Sequence, residues 1–184
     1  QVVVTSKAIP AITLAANDDN ICLGGSVQLT ATAPTATTVL WWDNTNTYGP
    51  HLRPAVVPNA GDSTFIYWAE ALNSLGCTAR DSVNVHVNAL PEVPLTVVGG
   101  TNSICINNNV TIQGPVEAGY QYQWTIDGAV AGTNSPTLSF KVTKDVAVQL
   151  RVTSSQGCLN TSALLSIEVI DLPGIAIQQN NTSM

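Results

Sequence analysis

The sequence is poor in charge, and poorest in basic residues, which limits what the protein can bind. Only 10% of its 184 residues are charged and the net charge is −6. Binding to nucleic acid requires clustered Lys and Arg that neutralise phosphates. The six basic residues here are scattered along the chain, and the same scatter argues against a polybasic patch for a membrane surface. We therefore expect neither a nucleic-acid partner nor direct membrane insertion.

Long apolar runs and helical periodicity are also missing. No apolar stretch approaches the roughly 18 residues of a membrane-spanning helix. Apolar residues nevertheless make up 45% of the chain, and they alternate with polar residues at a period of two, which is typical of half-buried strands. The composition therefore predicts a folded, all-β protein rather than a disordered one.

An internal repeat is the strongest positive feature. The segment Ile21–Ala31 resembles Ile104–Gly114, and each copy is followed by a tryptophan, a Gly-Cys pair and a valine- or isoleucine-rich alternation. The cysteines of the two copies are 83 residues apart, Trp42 and Trp124 are 82 apart, and the Gly-Cys pairs are 81 apart. A nearly constant period predicts two copies of one domain of about 80 residues.

The repeat defines the expected domain boundaries. We place a closing strand of a preceding repeat and its linker at 1–9, the first domain at 10–90, the second at 91–172 and the start of a following repeat at 173–184. About seven short strands per copy and no helix predict two tandem immunoglobulin-like β-sandwiches. The prolines of the linker Asn88–Pro94 favour an extended array. In this register Met184 stands just before a cysteine position, so we expect cysteine at position 185 of a longer parent protein.

Each copy contains two cysteines, and the repeat favours pairing within a copy. The expected disulfides are Cys22–Cys77 and Cys105–Cys158, each capping one end of a sandwich because the cysteines flank the strands instead of lying inside them. Close C-x-x-C pairs are absent, which argues against zinc. Disulfides imply an oxidising compartment, so we expect an extracellular or cell-surface location.

The order of these motifs resembles a known class of repeats. The pattern Ile-Cys-x-Gly/Asn-x-x-Val-x-Leu/Ile, then Tyr120–Trp124, then Gly-Cys and a valine-rich strand is similar to the Ig-like and PKD-like repeats of large cell-surface and type IX-secreted proteins of Bacteroidetes, including gliding adhesins. The resemblance implies a structural spacer or stalk in adhesion or gliding, with neighbouring repeats of the parent chain as partners. Two alternatives remain: an accessory module of a secreted polysaccharide-degrading enzyme, and a subunit of an extracellular filament.

Strand parity gives one candidate binding face, on the first domain only. Matching Trp42 to Trp124 places Trp41 on the outer face, and the alternation on the following strands adds Trp68, Glu70 and His86. Outward tryptophans suit stacking on a sugar ring or anchoring of a protein partner. A shift of the register by one residue would turn these faces over.

Three further kinds of site were considered: calcium binding, catalysis and glycosylation. Asp18–Asn20 and Asp43–Asn46 offer oxygen atoms that Ca²⁺ could use, although turn formation explains these residues as well. Neither histidine, His51 or His86, lies beside a recognisable nucleophile signature, so we expect no enzyme activity. Ser82 and Ser63 lie in Asp-Ser-x triplets similar to the O-glycosylation motif of Bacteroidetes.

Overall fold

The computed structural model describes residues 5–49, 55–56 and 61–171. The chain divides into two compact units, residues 1–90 and 91–184. The described residues form strands and connecting loops without any helix, and accordingly no helix there could cross a membrane. The expectation of an all-β protein is confirmed. The expected closing strand at 1–9 falls partly, and the expected repeat start at 173–184 entirely, outside the described residues, as does His51.

The first unit contains two sheets. Its strands are β1 (Thr13–Ala16), β2 (Asn20–Cys22), β3 (Val27–Thr32), β4 (Thr38–Trp42), β5 (Thr47–Gly49), β6 (Ala55–Val56), β7 (Ser63–Leu72) and β8 (Thr78–Asn88). One sheet has the strand order β1-β3-β6 and the other β2-β8-β7-β4-β5. All neighbours are antiparallel except β2 and β8, which run parallel.

The second unit repeats this plan. Its strands are β9 (Thr96–Val97), β10 (Ser103–Cys105), β11 (Asn109–Gln113), β12 (Gln121–Ile126), β13 (Ala129–Ala131), β14 (Thr137–Lys141), β15 (Val146–Thr153), β16 (Leu159–Thr161) and β17 (Leu165–Ile170). The smaller sheet has the order β14-β11-β9. The larger has β10-β17-β15-β12-β13, with β16 also paired to β15. The strands β10 and β17 are parallel.

The apolar alternation explains why each unit folds as a sandwich. In β3 every second side chain is buried, namely Val27, Leu29 and Ala31. These side chains form one hydrophobic core with Trp41 and Tyr67 of the opposite sheet. The second core contains, on the same plan, Val110, Ile112, Trp124, Leu150 and Ile167. Burial of such large side chains contributes about 1.5–3 kcal/mol each to folding.

The sequence predicts about seven short strands in each copy, and the described residues form eight in the first unit and nine in the second. The sequence did not indicate β2, β5, β6, β10, β13 or β16, which have two or three residues each. The turn Asp127–Gly128 forms a type I′ hairpin, because both residues have positive φ, 49° and 79°, and Ile126 pairs directly with Ala129.

The cysteines of the first unit correct the expected pairing. Cys22 is disulfide-bonded, but Cys77 is a free thiol, so the predicted Cys22–Cys77 bond is wrong. Cys22 lies beside Asn88 at the end of β8, whereas Cys77 directly precedes the start of β8. Ten residues of strand separate the two positions, about 33 Å at 3.3 Å per residue, and a disulfide tolerates only about 7 Å between Cα atoms.

The second unit has the reverse assignment. Cys158 is disulfide-bonded and fully buried, while Cys105 is an exposed free thiol. Cys105 lies beside Ile170 at the end of β17, and Cys158 lies in the turn at the far end of β15, where Thr153 pairs with Leu159. The predicted Cys105–Cys158 bond is wrong for the same reason: the repeat unit carries its two cysteines at opposite ends.

Candidate ligand-binding face

The outer surface of the larger sheet in the first unit has two adjacent indole rings. Trp42 of β4 pairs directly with Trp68 of β7, and Trp68 pairs with Ser82 of β8. Directly opposed residues of antiparallel strands project from the same face. Both tryptophans are partly exposed, and Ser82 is exposed, so this row of three side chains lies on the solvent side of the sheet.

Trp41 is not part of this face, which corrects the sequence-based assignment. Its side chain is fully buried and pairs with Ala69, which is buried too. A β-bulge between β4 and β5 falls at Trp41 and Trp42. The prediction matched Trp42 to Trp124, and this shift of one residue turned the strand over. The residue equivalent to Trp124 is Trp41, 83 residues earlier, the same interval as that between Cys22 and Cys105.

A charged pair borders the two indole rings. The Nε of Arg80 donates to Oε2 of Glu70 at 2.7 Å, and the Arg80 Cζ lies 5.6 Å from the centroid of the Trp42 ring. The distance is within the range of a cation–π contact. The Arg80 side chain is 69% exposed, so its terminal Nη groups face solvent. The arrangement fixes the guanidinium against one ring and leaves donors available to a ligand.

The turn after β4 supplies the other side of the site. Asp43 Oδ1 accepts hydrogen bonds from the backbone amides of Thr45 and Asn46 at 2.7 and 2.6 Å, and Oδ2 accepts from the Tyr48 hydroxyl at 2.6 Å. Burial alone would raise the pKa of Asp43, but these hydrogen bonds outweigh it and hold that pKa well below its ordinary value. Asp43 therefore orders the turn as an ionised acceptor.

Two tyrosines lie behind this turn. Burial, together with the hydrogen bond to Asp43, raises the pKa of Tyr48. Burial and the same carboxylate raise the pKa of Tyr67 to about 12, and the two rings are 6.1 Å apart between centroids. Both hydroxyls therefore remain protonated at neutral pH, and the turn lies next to two uncharged aromatic side chains.

The surface between these groups is concave. An open hollow of about 400 Å³ is lined by Trp42, Asp43, Asn44, Trp68 and Arg80. A second hollow, of about 290 Å³, lies on the other side of the turn, against Ser63, Thr64, Phe65 and Ile66. The first hollow combines aromatic faces with hydrogen-bonding groups, which is the composition of a small-ligand site.

The structure assembles only part of the predicted site. Trp68 and Glu70 lie together, but His86 lies four residues along β8 from Ser82, about 13 Å away, where its Nδ1 is 3.2 Å from Thr64 Oγ1. Sequence reasoning missed Trp42, Arg80 and Asn44. The equal 83-residue interval is the signal that would have placed Trp42 outside.

The second unit lacks aromatic side chains at the corresponding outer positions. Thr125 occupies the position of Trp42 and pairs with Gln149, which occupies that of Trp68; Gln123 pairs with Arg151. The nearby hollow, about 280 Å³, is lined by Gln121, Tyr122, Gln123, Arg151 and Thr153. The aromatic face is therefore a property of the first unit.

The remaining sequence-based sites stay predictions. Ser82 is exposed on β8, whereas Ser63 is partly buried and donates to the Gly61 carbonyl at 3.2 Å; O-glycosylation of both residues stays a prediction. Within the described ranges, no group of three or more His, Cys, Asp or Glu side chains could hold a metal ion. The Ca²⁺ hypothesis for Asp43–Asn46 competes with the hydrogen bonds that already use both Asp43 oxygens.

Comparisons with known proteins agree with the Ig-like fold. Residues 8–91 match the family described as "Ig-like domain CHU_C associated", so this part of the chain is similar to the Ig-like domains of that family. The family is associated with Bacteroidetes, which confirms the resemblance over these residues. No curated protein matches the chain.

Solved structures show the fold alone. A titin I-band fragment, I67–I69, is 13% identical, covers 90% of this chain and 67% of its own, and has a TM-score of 0.50. The fibronectin(III)-like modules of Clostridium thermocellum CbhA are also 13% identical, covering 91% of this chain and 100% of their own, with a TM-score of 0.41. The Ig-like fold and the disulfide-bonded cysteines support a structural repeat module of a secreted or surface protein, and such domains are typically non-catalytic.

Proposed function

We propose that the chain is a load-bearing segment of a bacterial cell-surface protein, in which both units are Ig-like repeats that act as spacers in adhesion or gliding. The family match of residues 8–91 supports the surface setting. The observation that carries the load-bearing role is the parallel pairing of the first and last strands of the larger sheet, which occurs in both units.

Parallel pairing of terminal strands resists force because of its direction. In the first unit, β2 runs parallel to β8, with Asn20 opposite His86 and Cys22 opposite Asn88. Tension applied through the chain pulls β2 toward its amino end and β8 toward its carboxyl end. The hydrogen bonds between them are then loaded together in shear, whereas bonds that are peeled open break one after another.

Side chains reinforce this contact in the first unit. Asn88, which is 8% exposed, donates from Nδ2 to Asn20 Oδ1 at 2.7 Å and to the Ile21 carbonyl at 3.0 Å. The Asn88 carbonyl accepts from the Leu23 amide at 2.9 Å, and the Asp19 carbonyl accepts from the His86 amide at 2.7 Å. Buried hydrogen bonds of this kind contribute about 1 kcal/mol each.

The second unit has a comparable contact. The amide of Ile106 donates to the Ile170 carbonyl at 2.9 Å, and the amide of Glu168 donates to the Asn102 carbonyl at 2.8 Å. The Asn102 side chain also donates to the Ser166 carbonyl at 3.0 Å. The same terminal contact occurs in both units, as a load-bearing role requires of units that are pulled in series.

Single-molecule force spectroscopy tests the proposal. The whole chain is held between marker domains and pulled in the presence of a reductant, so that disulfides do not limit extension. We expect one unfolding event per unit. Because N88A removes two hydrogen bonds, worth about 2 kcal/mol together, it should raise the first unit's unfolding rate under force about thirtyfold.

Asn73 offers a matched control. It is 9% exposed, and its Oδ1 accepts from the Leu75 and Cys77 amides, both at 3.0 Å, at the opposite end of the sheet. Its Nδ2 also donates to the Ala8 carbonyl at 2.9 Å. Because N73A removes three hydrogen bonds, it should reduce equilibrium stability at least as much as N88A and yet change the unfolding force less. An equal loss of force in both variants, or unfolding of the native units without a measurable force, would show that the terminal contact does not bear load.

A further inference from the structure

We infer that the hollow beside Trp42 and Trp68, here called the indole hollow (Trp42, Asp43, Asn44, Trp68 and Arg80), binds a neutral saccharide. This inference is independent of the load-bearing role. A spacer needs no aromatic side chains on its solvent face, and the second unit keeps the same sheet with threonine and glutamine at these positions.

The two rings supply the apolar part of such a site. Trp42 and Trp68 are directly opposed across the β4–β7 pair, and both remain partly exposed although they are the largest side chains on the face. The axial C–H groups of a sugar ring form an apolar patch that stacks on an indole ring, while its hydroxyl groups point sideways. Adjacent indoles on a rigid sheet therefore present a stacking platform that requires little ordering on binding.

Polar groups surround the platform at the positions that hydroxyl groups would reach. Among the described residues, Glu70 engages Arg80 through Nε, so the Nη groups of Arg80 can donate to a ligand. The Asn44 side chain is exposed and forms no hydrogen bond within the described part of the chain, so it offers both a donor and an acceptor. Glu70 has a second carboxylate oxygen that Arg80 does not engage.

Local charge selects a neutral ligand. Arg80 is neutralised by Glu70 at 2.7 Å, and the Asp43 carboxylate is used by its own turn. An anionic ligand would meet the two carboxylates of Asp43 and Glu70. Both carboxylates already have partners within the protein, which weakens their attraction for a cationic ligand. Hydrogen bonding and stacking without net charge are the interactions that a neutral sugar makes.

The surroundings favour a sugar over a protein partner. The outward residues of the adjacent strand β8 are all exposed and polar: Thr78, Arg80, Ser82, Asn84 and His86. Exposed aliphatic side chains on the face, Leu40, Ile66 and Leu72, lie outside the indole hollow. A stable protein interface needs about 800 Å² per partner around a desolvated centre, whereas a sugar chain needs only the hollow and its rim.

The test is titration of the purified chain with cellohexaose, chitohexaose, mannohexaose and maltohexaose, followed by intrinsic tryptophan fluorescence and calorimetry. Trp41 and Trp124 are fully buried, so a ligand-dependent change in fluorescence would arise from Trp42 and Trp68. We expect saturable binding of at least one oligosaccharide, weakened about tenfold or more by W68A and by W42A.

Matched variants locate the site. W68F, which keeps an aromatic face, should retain most of the affinity, and Q149A at the corresponding position of the second unit should retain all of it. Unchanged thermal unfolding of W68A would show that the fold is intact. Failure to bind any of the four sugars, equal binding by W68A, or self-association of the chain through this face without sugar binding would overturn the inference.

Discussion

Both units have a tryptophan at the centre of the larger sheet, but the residues next to it on the outer face of the sheet differ. Trp41 and Trp124 are both fully buried, and each pairs with a buried residue of the next strand, Ala69 and Leu150 respectively. The outer positions next to them are indole rings in the first unit and polar side chains in the second. The interior is therefore set by packing, which both units must satisfy, and the outer face is where they differ.

The indole nitrogens differ as well. Trp124 Nε1 donates to the Ser135 carbonyl at 2.8 Å, from the loop between β13 and β14. Trp41 Nε1 is buried and has no hydrogen-bond partner among the described residues. In the first unit, the segment that corresponds to the β13–β14 loop includes residues that the structure does not describe. A buried donor without a partner costs about 1–3 kcal/mol. The second unit therefore provides a hydrogen-bond acceptor for the indole nitrogen of its central tryptophan, and the described part of the first unit does not.

The turns after β4 and β12 also use their carboxylates in different ways. Asp43 accepts hydrogen bonds from within its own turn and from Tyr48. Asp127 instead bonds outward, through Oδ2 to Lys144 Nζ at 2.7 Å and through Oδ1 to the Ala147 amide at 2.9 Å. The hydrogen bond from Lys144, followed by that from Ala147, lowers the pKa of Asp127. The turn after β4, next to the indole hollow, therefore uses its carboxylate for hydrogen bonds within the turn and to Tyr48.

The largest expected difference in stability is between substitutions of the two adjacent tryptophans of β4, Trp41 and Trp42. W41A should destabilise the first unit by about 3–5 kcal/mol, because it removes a fully buried indole and leaves a cavity. W42A should cost less than about 1 kcal/mol, because Trp42 is partly exposed on the other face. Urea unfolding of the whole chain would measure both values.

The second unit provides the control for this pair. W124A should cost about 1–2 kcal/mol more than W41A, because it also leaves the Ser135 carbonyl without its donor. T125A should cost as little as W42A, and the first unit should be unaffected in both cases. A W42A cost that exceeds that of W41A would restore the original register, with Trp41 outside, and would remove the indole hollow.

How much the sequence could predict follows from these residues. The alternation in β7 is long and unambiguous, and it correctly placed Trp68 and Glu70 on the outer face. Strand β4 offered two consecutive tryptophans, and alternation cannot decide which of two large apolar neighbours is buried. The bulge at Trp41 and Trp42 comes from pairing with β5, a three-residue strand that has no sequence signature of its own.

The disulfide pairing failed for a different reason. The repeat correctly identified equivalent cysteines but contained no information about which end of the sandwich each occupies. That depends on β2 and β10, which pair in parallel with the last strand and were not predicted. Parallel pairing between segments more than 60 residues apart is a tertiary property, and no local pattern in three residues encodes it.

A smaller effect would sharpen the comparison of the two indole nitrogens. W124F should cost about 1–2 kcal/mol more than W41F, because it leaves the Ser135 carbonyl without its donor, whereas W41F removes a donor that lacks a partner. Both variants lose the same volume, so the cavity contribution largely cancels. Equal costs in urea unfolding would indicate that Trp41 Nε1 has an acceptor outside the described residues.

The smallest effects concern the free thiols, which lie at opposite ends of their units. C77S and C105S should each change stability by less than about 0.5 kcal/mol, because neither residue forms a disulfide. Alkylation of the unreduced protein, followed by peptide mass spectrometry, should label Cys77 and Cys105 and leave Cys22 and Cys158 unmodified. Cys105 is exposed and Cys77 only partly so, so Cys105 should react first. A Cys22–Cys77 or Cys105–Cys158 peptide would require the two ends of one sheet to meet, and it would contradict the parallel strand pairing on which the load-bearing proposal depends.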